Sequence, residues 1–169
     1  MKNLIFAFSL FLSLQLKAQN QDCVCCKPEF QAFAFWEGDW EVFGHDGNKV
    51  GTNKIVFLQD KCVLQENWNG LTPNDAGTSY NFYNAEKKIW QQVWVSNRGF
   101  VLELKGSYQD GAMVLKSDLV KDYKGNLVIN KITWKKQENG DVEQIWETSS
   151  DNEKTWKTTF YGIYKKVKK

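Results

Sequence analysis

The sequence predicts an all-β protein, an antiparallel up-and-down meander closed into a barrel of roughly ten strands, preceded by a short N-terminal helix or lid. Past residue 38, apolar and polar residues alternate, and β-branched and aromatic types dominate, as on half-buried strands. The connectors are short, polar and rich in Gly, Asn and Asp, which tolerate turn dihedrals. The only prolines are Pro28, before the first predicted strand, and Pro73, in a loop, so none interrupts the later strands.

The first eighteen residues are predicted to be a secretory signal peptide. Lys2 precedes an apolar run from Leu4 to Leu16, and Ala18 is a small residue before the expected cleavage point. The run is short for a transmembrane helix and has the three-part layout of an export signal. An N-terminal anchor that stays in place is the alternative. The signal predicts a secreted or periplasmic protein with no stable membrane span.

The charge balance after cleavage argues against a nucleic-acid partner. The full chain carries 22 Lys and Arg against 20 Asp and Glu. Two of the lysines lie in residues 1–18, which leaves 20 residues of each sign. Acidic and basic residues are interspersed except in the C-terminal YKKVKK, and Arg98 is the single arginine. A nucleic-acid surface needs clustered Lys and Arg, so none is expected.

Four cysteines follow the expected cleavage point: Cys23, Cys25, Cys26 and Cys62. In an oxidising compartment they are expected to form disulfides. A bond between adjacent Cys25 and Cys26 would be strained. Cys26, or else Cys25, is therefore expected to join Cys62 and staple the N-terminal segment, residues 19–37, to the barrel domain, residues 38–169. A thiolate metal site is the alternative, but no His or Met accompanies the cluster, and no metal or cofactor is expected.

The strands are assigned from runs of alternating residues between turn signals. They cover about 39–44, 50–58, 61–69, 78–84, 88–96, 99–106, 111–119, 126–136, 141–149 and 155–166. Short hairpins without long crossovers favour a meander, and closure into a barrel protects its edge strands. The stretch from Lys27 to Trp36 is the predicted helix or lid, with Pro28 in its first turn.

The stretch FAFWEGDWEVFG contains Gly38-Asp39-Trp40, which resembles the Gly-x-Trp signature of the calycins, a group that includes lipocalins and fatty-acid-binding proteins. With CVLQENW, SYNFYN, WQQVWV, KITW, SSDNEKTWK and FYGIYKK, nearly all of the exported chain resembles a family of exported bacterial lipocalin-like proteins. The resemblance implies a calycin barrel and structural roles for Gly38 and Trp40. Trp40 would close one barrel end, with the stem of Lys165 or Lys166 packed on its ring.

Two further features favour structure over catalysis. The segment from Ser149 to Trp156 is similar to the Asp-box hairpin of sialidases, with Glu153 in place of the usual glycine. A single copy indicates a structural hairpin, because a propeller would repeat it at a fixed period. His45 is the only histidine and lies in a predicted turn, which disfavours haem binding, a Ser-His-Asp triad and a His-based zinc site.

The candidate ligand-binding residues follow from the alternation of side chains along each strand. If the aromatic faces point inward, they form a cavity with a few polar groups, as in small-molecule sites. The predicted ligand-binding residues are Glu66, Trp68, Tyr80, Phe82, Trp90, Gln92, Trp94, Leu102, Gln144 and Trp146.

The sequence therefore favours a non-catalytic barrel that binds a small hydrophobic or aromatic molecule in its interior. Two alternatives stay open. Burial of Glu66 would raise its pKa, which makes it a weak candidate for the acid–base group of an isomerase or cyclase. In the other alternative the aromatic residues fill the barrel themselves and leave a structural or interaction module without a ligand.

Overall fold

A closed antiparallel barrel forms the body of the protein. The computed structural model describes residues 23–167, and the predicted signal peptide lies outside them. Two short 3-10 turns, Val24–Cys26 and Ala34–Trp36, flank helix α1, Pro28–Gln31. The strands are β1 Gly38–Phe43, β2 Lys49–Leu58, β3 Val63–Gly70, β4 Ala76–Asn84, β5 Ile89–Ser96, β6 Val101–Gln109, β7 Ala112–Lys116, β8 Val120–Lys121, β9 Leu127–Lys136, β10 Val142–Ser149 and β11 Lys157–Lys166.

Ten of these strands close the barrel, which confirms the predicted fold class. Strands β1 to β7 pair in chain order, and β7 pairs with β9. The ring continues through β10 and β11 and closes where β11 pairs with β1, with Trp40 opposite Lys166. Strand β8 pairs with β9 and lies outside the ring. It is the one addition to the predicted ten, since the segment predicted at 111–119 ends as a strand at Lys116.

One end of the barrel is plugged by the residues that precede β1. Phe33 and Trp36 are fully buried, and their rings stack with centroids 5.0 Å apart. Both rings also contact the Trp134 ring, with centroid distances of 5.1 Å from Phe33 and 5.4 Å from Trp36. The centroid of the Trp36 ring lies 6.0 Å from that of Tyr164. This end, called the plugged end below, is therefore filled by aromatic rings.

Trp40 completes the plugged end. Its indole N–H donates to the carbonyl of Trp36 at 2.9 Å, and its ring is 1 % exposed. The ammonium nitrogen of Lys166 lies 5.2 Å from the ring centroid, so Lys166 makes the contact expected from the calycin resemblance. Gly38 has a φ of +143°, a conformation that favours glycine.

Two disulfides hold the N-terminal segment: Cys25 bonds Cys62, and Cys23 bonds Cys26. The first-choice pairing of Cys26 with Cys62 is wrong, and the second choice is correct. The reason is the direction of the short turn Val24–Cys26: Cys25 is 4 % exposed and points to the barrel, whereas Cys26 faces solvent. The thiolate metal site is also wrong, because all four sulfurs are in disulfides.

Within residues 23–167, no helix is long and apolar enough to cross a bilayer.

Removal of the Cys25–Cys62 disulfide is expected to lower the free energy of unfolding by about 4 kcal/mol, because it closes a long loop in the unfolded chain. The bond joins residues 37 apart in sequence. The test is urea denaturation of the double variant Cys25→Ser/Cys62→Ser. The control is Cys23→Ser/Cys26→Ser, whose bond spans a separation of only 3. The control variant should lose less than half as much free energy of unfolding. Equal losses in the two variants would show that the Cys25–Cys62 disulfide has no special stabilising role.

Candidate ligand-binding site

A cavity of about 130 Å³ lies inside the barrel beyond the plug. Strands β3, β5 and β10 each place one polar side chain in the cavity. Two residues further along each strand, away from the plugged end, a tryptophan also faces the cavity. The pairs are Glu66 and Trp68, Gln92 and Trp94, and Gln144 and Trp146. The lining residues are Glu66, Trp68, Asp75, Gln92, Trp94, Leu102, Ile132, Trp134, Gln144, Trp146, Phe160 and Tyr164. An apolar cavity of roughly 150 Å³ accommodates benzene, so this one suits a molecule of similar size.

Four aromatic side chains, Trp68, Trp94, Trp146 and Phe160, form the rim of the cavity away from the plug. The rings of Trp68 and Phe160 are nearly perpendicular, at 80°, with centroids 5.9 Å apart. Glycines on neighbouring strands make room for two of the indoles. A Cβ on Gly51 would overlap the Trp68 ring, and one on Gly77 would overlap the Trp94 ring. These rings therefore lie along the wall and leave the lumen free.

Hydrogen bonds hold two of the rim indoles in place. Trp68 Nε1 donates to Asp75 Oδ1 at 3.0 Å, and the hydroxyl of Thr72 donates to Asp75 Oδ2 at 3.3 Å. On the other side of the rim, Trp146 Nε1 donates to Asn130 Oδ1 at 2.9 Å. The orientation of these rings is set before any ligand arrives, which reduces the entropy cost of binding.

A buried polar chain on strands β3, β4 and β5 supports the floor of the cavity, which Glu66 and Gln92 line. Gln92 Nε2 donates to Asn81 Oδ1 at 2.7 Å, and Asn81 Nδ2 donates to Ser79 Oγ at 2.9 Å. Ser79 Oγ in turn donates to Glu66 Oε2 at 2.7 Å. From β2, Asn53 Nδ2 donates to Glu66 Oε1 at 2.7 Å. The series of hydrogen bonds from Gln92 therefore ends at Glu66, which accepts directly from Ser79 and Asn53.

A second polar pair lies beside the floor. The hydroxyl of Tyr164 donates to Gln144 Oε1, and it accepts a long hydrogen bond of 3.4 Å from Asn53 Nδ2. The Asn53 amide thus links Glu66 to Tyr164. Its own oxygen, Asn53 Oδ1, is buried and has no partner within residues 23–167.

Burial raises the pKa of Glu66 to about 7, and the hydrogen bonds from Ser79 and Asn53 offset only part of that rise. Desolvation disfavours the charged form, and Glu66 is 6 % exposed. Burial also raises the pKa of Tyr164 well above its ordinary value, with the nearby Glu66 carboxylate as the second cause. At neutral pH the floor therefore holds a neutral tyrosine and a half-ionised carboxyl group.

Seven of the ten predicted residues line the cavity: Glu66, Trp68, Gln92, Trp94, Leu102, Gln144 and Trp146. Trp90 is buried but belongs to the plugged end, where its ring lies 5.8 Å from that of Phe33. The inward placement of Tyr80 and Phe82 is wrong. Residues opposite each other on paired strands share a face, and Ser79 lies opposite Glu66, so Tyr80 points outward and is 46 % exposed.

Sequence reasoning missed part of the site. The floor residues Asn53, Ser79 and Asn81 are small and polar, and they resemble ordinary solvent-facing positions of a strand. The alternation in KITW and FYGIY would have found a second group, which lines the cavity from β9 and β11: Ile132, Trp134, Phe160 and Tyr164. Asp75 lies in the connection between β3 and β4, where no periodicity marks it.

The Asp-box segment forms a structural hairpin away from the cavity. Asp151 Oδ1 accepts from the Thr155 backbone N–H at 2.9 Å, and Asp151 Oδ2 accepts from the Thr155 hydroxyl at 2.6 Å. These hydrogen bonds, with one from Ser149, lower the pKa of Asp151 to about 2. His45 also lies elsewhere, stacked 3.6 Å from the Tyr161 ring. Within residues 23–167, no three His, Cys, Asp or Glu side chains are grouped to hold a metal ion.

Comparison with known proteins assigns no family to this chain. No protein-family model matches it, and no curated protein is significantly similar to it. The side chains of the cavity are therefore the basis for assigning a function.

The stability of the protein is expected to fall as pH rises from 5 to 8. The pKa of Glu66 rises from its ordinary 4.5 to about 7 on folding, so the folded state binds this proton more tightly than the unfolded state. The resulting stability is complete below the unfolded pKa and is lost as pH rises through 7, a change of about 3 kcal/mol.

Urea denaturation of the Glu66→Gln variant across this pH range provides the check. Its unfolding free energy should vary far less with pH, because a neutral amide replaces the titrating group. The matched control, Glu103→Gln, alters an exposed carboxylate on β6 and should keep the wild-type slope. A slope that persists in Glu66→Gln would assign the pH dependence to another group.

Proposed function

We propose that the protein is an exported, non-catalytic calycin-like barrel that binds one small hydrophobic or aromatic molecule in its interior. The observation that carries the proposal is the cavity itself, in which an aromatic rim lies above a buried polar floor. Apolar walls supply affinity through desolvation, and a few polar groups orient the ligand. A barrel packed only for stability would fill this space with its own side chains.

The ligand lies with its apolar part between the rim aromatics and its polar group toward the floor. The floor offers the Glu66 carboxyl and the side-chain amides of Gln92 and Gln144. The cavity volume of about 130 Å³ restricts the ligand to a single ring or a branched group of similar size. Pockets for drug-sized ligands start at about 300 Å³, so a long-chain lipid, which is at least as large, would fit only if the rim opened.

Export is supported by the cysteine chemistry. The four cysteines of the described chain form two disulfides, and disulfides persist in oxidising compartments such as the periplasm and the extracellular space. The sequence of residues 1–18 has the layout of a secretory signal. The proposed location is therefore secreted or periplasmic.

Benzyl alcohol is expected to bind and to change the tryptophan fluorescence, because Trp68, Trp94 and Trp146 surround the cavity. Titration followed by fluorescence and calorimetry measures the affinity. Trp94→Ala should weaken binding about tenfold, since it removes one wall of the rim. Tyr80→Ala is the matched control: it removes an exposed aromatic from the outer face of the adjacent strand and should leave the affinity unchanged.

Failure of every small probe, neutral or charged, to bind would reject the proposal in favour of a self-packed structural module. Equal losses of affinity in Trp94→Ala and Tyr80→Ala would place the binding site on the outer surface. Native mass spectrometry of the protein purified from its own host would reveal a co-purified small molecule directly.

One observation supports a second function, an isomerase or cyclase that uses Glu66 as its acid–base group. Glu66 faces the cavity, and its pKa of about 7 suits proton transfer at neutral pH. In that case the Glu66→Gln variant would bind the co-purified molecule but no longer convert it, as measured by mass spectrometry after incubation. Conversion that continues in Glu66→Gln would reject this function.

A further inference from the structure

The charged groups of the cavity are all of one sign. Among the described residues, its lining contains two carboxyl groups, Glu66 on the floor and Asp75 at the rim, and no Lys, Arg or His side chain. The ion pairs within residues 23–167 join other carboxylates to lysines and include neither of these two. Two carboxyl groups therefore face one small space without a cation from residues 23–167.

Neutral donors hold both carboxyl groups. Glu66 accepts from Asn53 and Ser79, and Asp75 accepts from the indole of Trp68 and the hydroxyl of Thr72. Each carboxylate oxygen can accept about two hydrogen bonds, so both groups keep acceptor capacity for a ligand. Burial of Glu66 without a cation is costly, and a ligand that supplies positive charge would remove part of that cost.

The aromatic rim attracts the same charge. The faces of Trp, Tyr and Phe rings carry negative electrostatic potential and bind ammonium groups, and Trp is the strongest of the three. Elsewhere in this chain, lysines occupy such faces: Lys166 lies 5.2 Å from the Trp40 centroid, and Lys131 lies 4.1 Å from that of Trp156. Within residues 23–167 no lysine or arginine lies over the rim tryptophans Trp68, Trp94 and Trp146.

We propose that the ligand of this cavity is a small organic ammonium ion, bound between the rim aromatics and neutralised by Glu66 and Asp75. The inference rests on the proposed binding function and narrows its ligand class to cations. The alkyl groups of the ammonium ion lie against the rim rings, which replace its hydration, and its charge lies between Asp75 at the rim and Glu66 on the floor. The same carboxylates repel anions such as ligand carboxylates, for which the described residues of the lining offer no positive group.

The test compares three ligands of nearly equal shape by calorimetry. They are choline, its neutral carbon analogue with a tert-butyl group in place of the trimethylammonium group, and the tert-butylacetate anion. Choline is expected to bind at least about tenfold more tightly than the neutral analogue, a difference of about 1.4 kcal/mol. The anion is expected to show no saturable binding.

Two variants test the carboxyl groups. Glu66→Gln and Asp75→Asn keep the size of each side chain and an acceptor oxygen, but they remove the charge. Each should weaken choline binding several-fold and leave the affinity for the neutral analogue unchanged. Glu103→Gln, at an exposed position outside the cavity, is the control and should bind choline like the wild type.

The pH dependence provides a further check. The titratable groups that line the cavity are Glu66, Asp75 and Tyr164, and Tyr164 stays neutral near pH 7 because its pKa is raised well above 10. Choline carries a permanent charge, so its affinity should rise between pH 6 and 8 as Glu66 ionises. The rise should be absent in Glu66→Gln and absent for the neutral analogue.

The outcomes separate the two proposals. If the neutral analogue binds as tightly as choline, or if the anion binds best, the cation inference is overturned and the binding function stands. If none of the three ligands binds and benzyl alcohol also fails, the binding function itself is overturned. Tighter choline binding that survives both carboxyl variants would overturn the assignment of Glu66 and Asp75.

Discussion

The structure depends on filling one end of a barrel that its own strands leave too wide. Barrel diameter grows with strand number, and about eight strands already enclose the space that inward side chains fill. Ten strands leave a wider lumen, and Phe33 and Trp36 enter it from outside the sheet. The rings of Trp134 and Tyr164 pack on this plug. Only the other half of the lumen remains open, and the cavity lies there.

Covalent and electrostatic contacts hold the plug in its position at the end of the barrel. The Cys25–Cys62 disulfide ties the segment that carries Phe33 to the start of β3. Trp40 bonds the carbonyl of Trp36 and lies under Lys166 on the closing strand. The plug is therefore connected to the first, third and last strands of the barrel. Its position sets the depth of the cavity, because its rings and those of Trp134 and Tyr164 fill the lumen at the plugged end.

The polar floor of the cavity lowers the stability of the barrel but places a titratable group inside it. A layer of apolar side chains would stabilise the barrel better than a carboxyl and several amides, since buried polar groups gain little beyond their desolvation cost. Glu66 keeps its place through neutral donors on β2 and β4, and its burial raises its pKa to about 7. Natural proteins retain such costly arrangements mainly at functional sites. No basic side chain of residues 23–167 lines the cavity, so the charge on its floor is negative wherever Glu66 is ionised.

The sequence by itself determined the kind of elements and the ten strands of the barrel, but not the short strand β8 outside it. Alternation of side chains has a period of two in any strand, and Gly, Asn and Asp mark turns wherever the chain must reverse, so the ten barrel strands could be assigned locally. It also identified the inner faces of β3, β5 and β10, where polar Glu66, Gln92 and Gln144 share the face of a tryptophan.

Only the tertiary structure decided which face of β4 points inward, which cysteines pair and whether a cavity remains. Aromatic residues occupy the outer face of β4, so composition favoured Tyr80 and Phe82, whereas the pairing of Ser79 with Glu66 places the small polar face inside. The choice between Cys25 and Cys26 depended on the direction of one short turn. The cavity is the volume that many side chains together leave empty. Its existence cannot be predicted from a local sequence pattern, because packing joins residues that are distant in sequence.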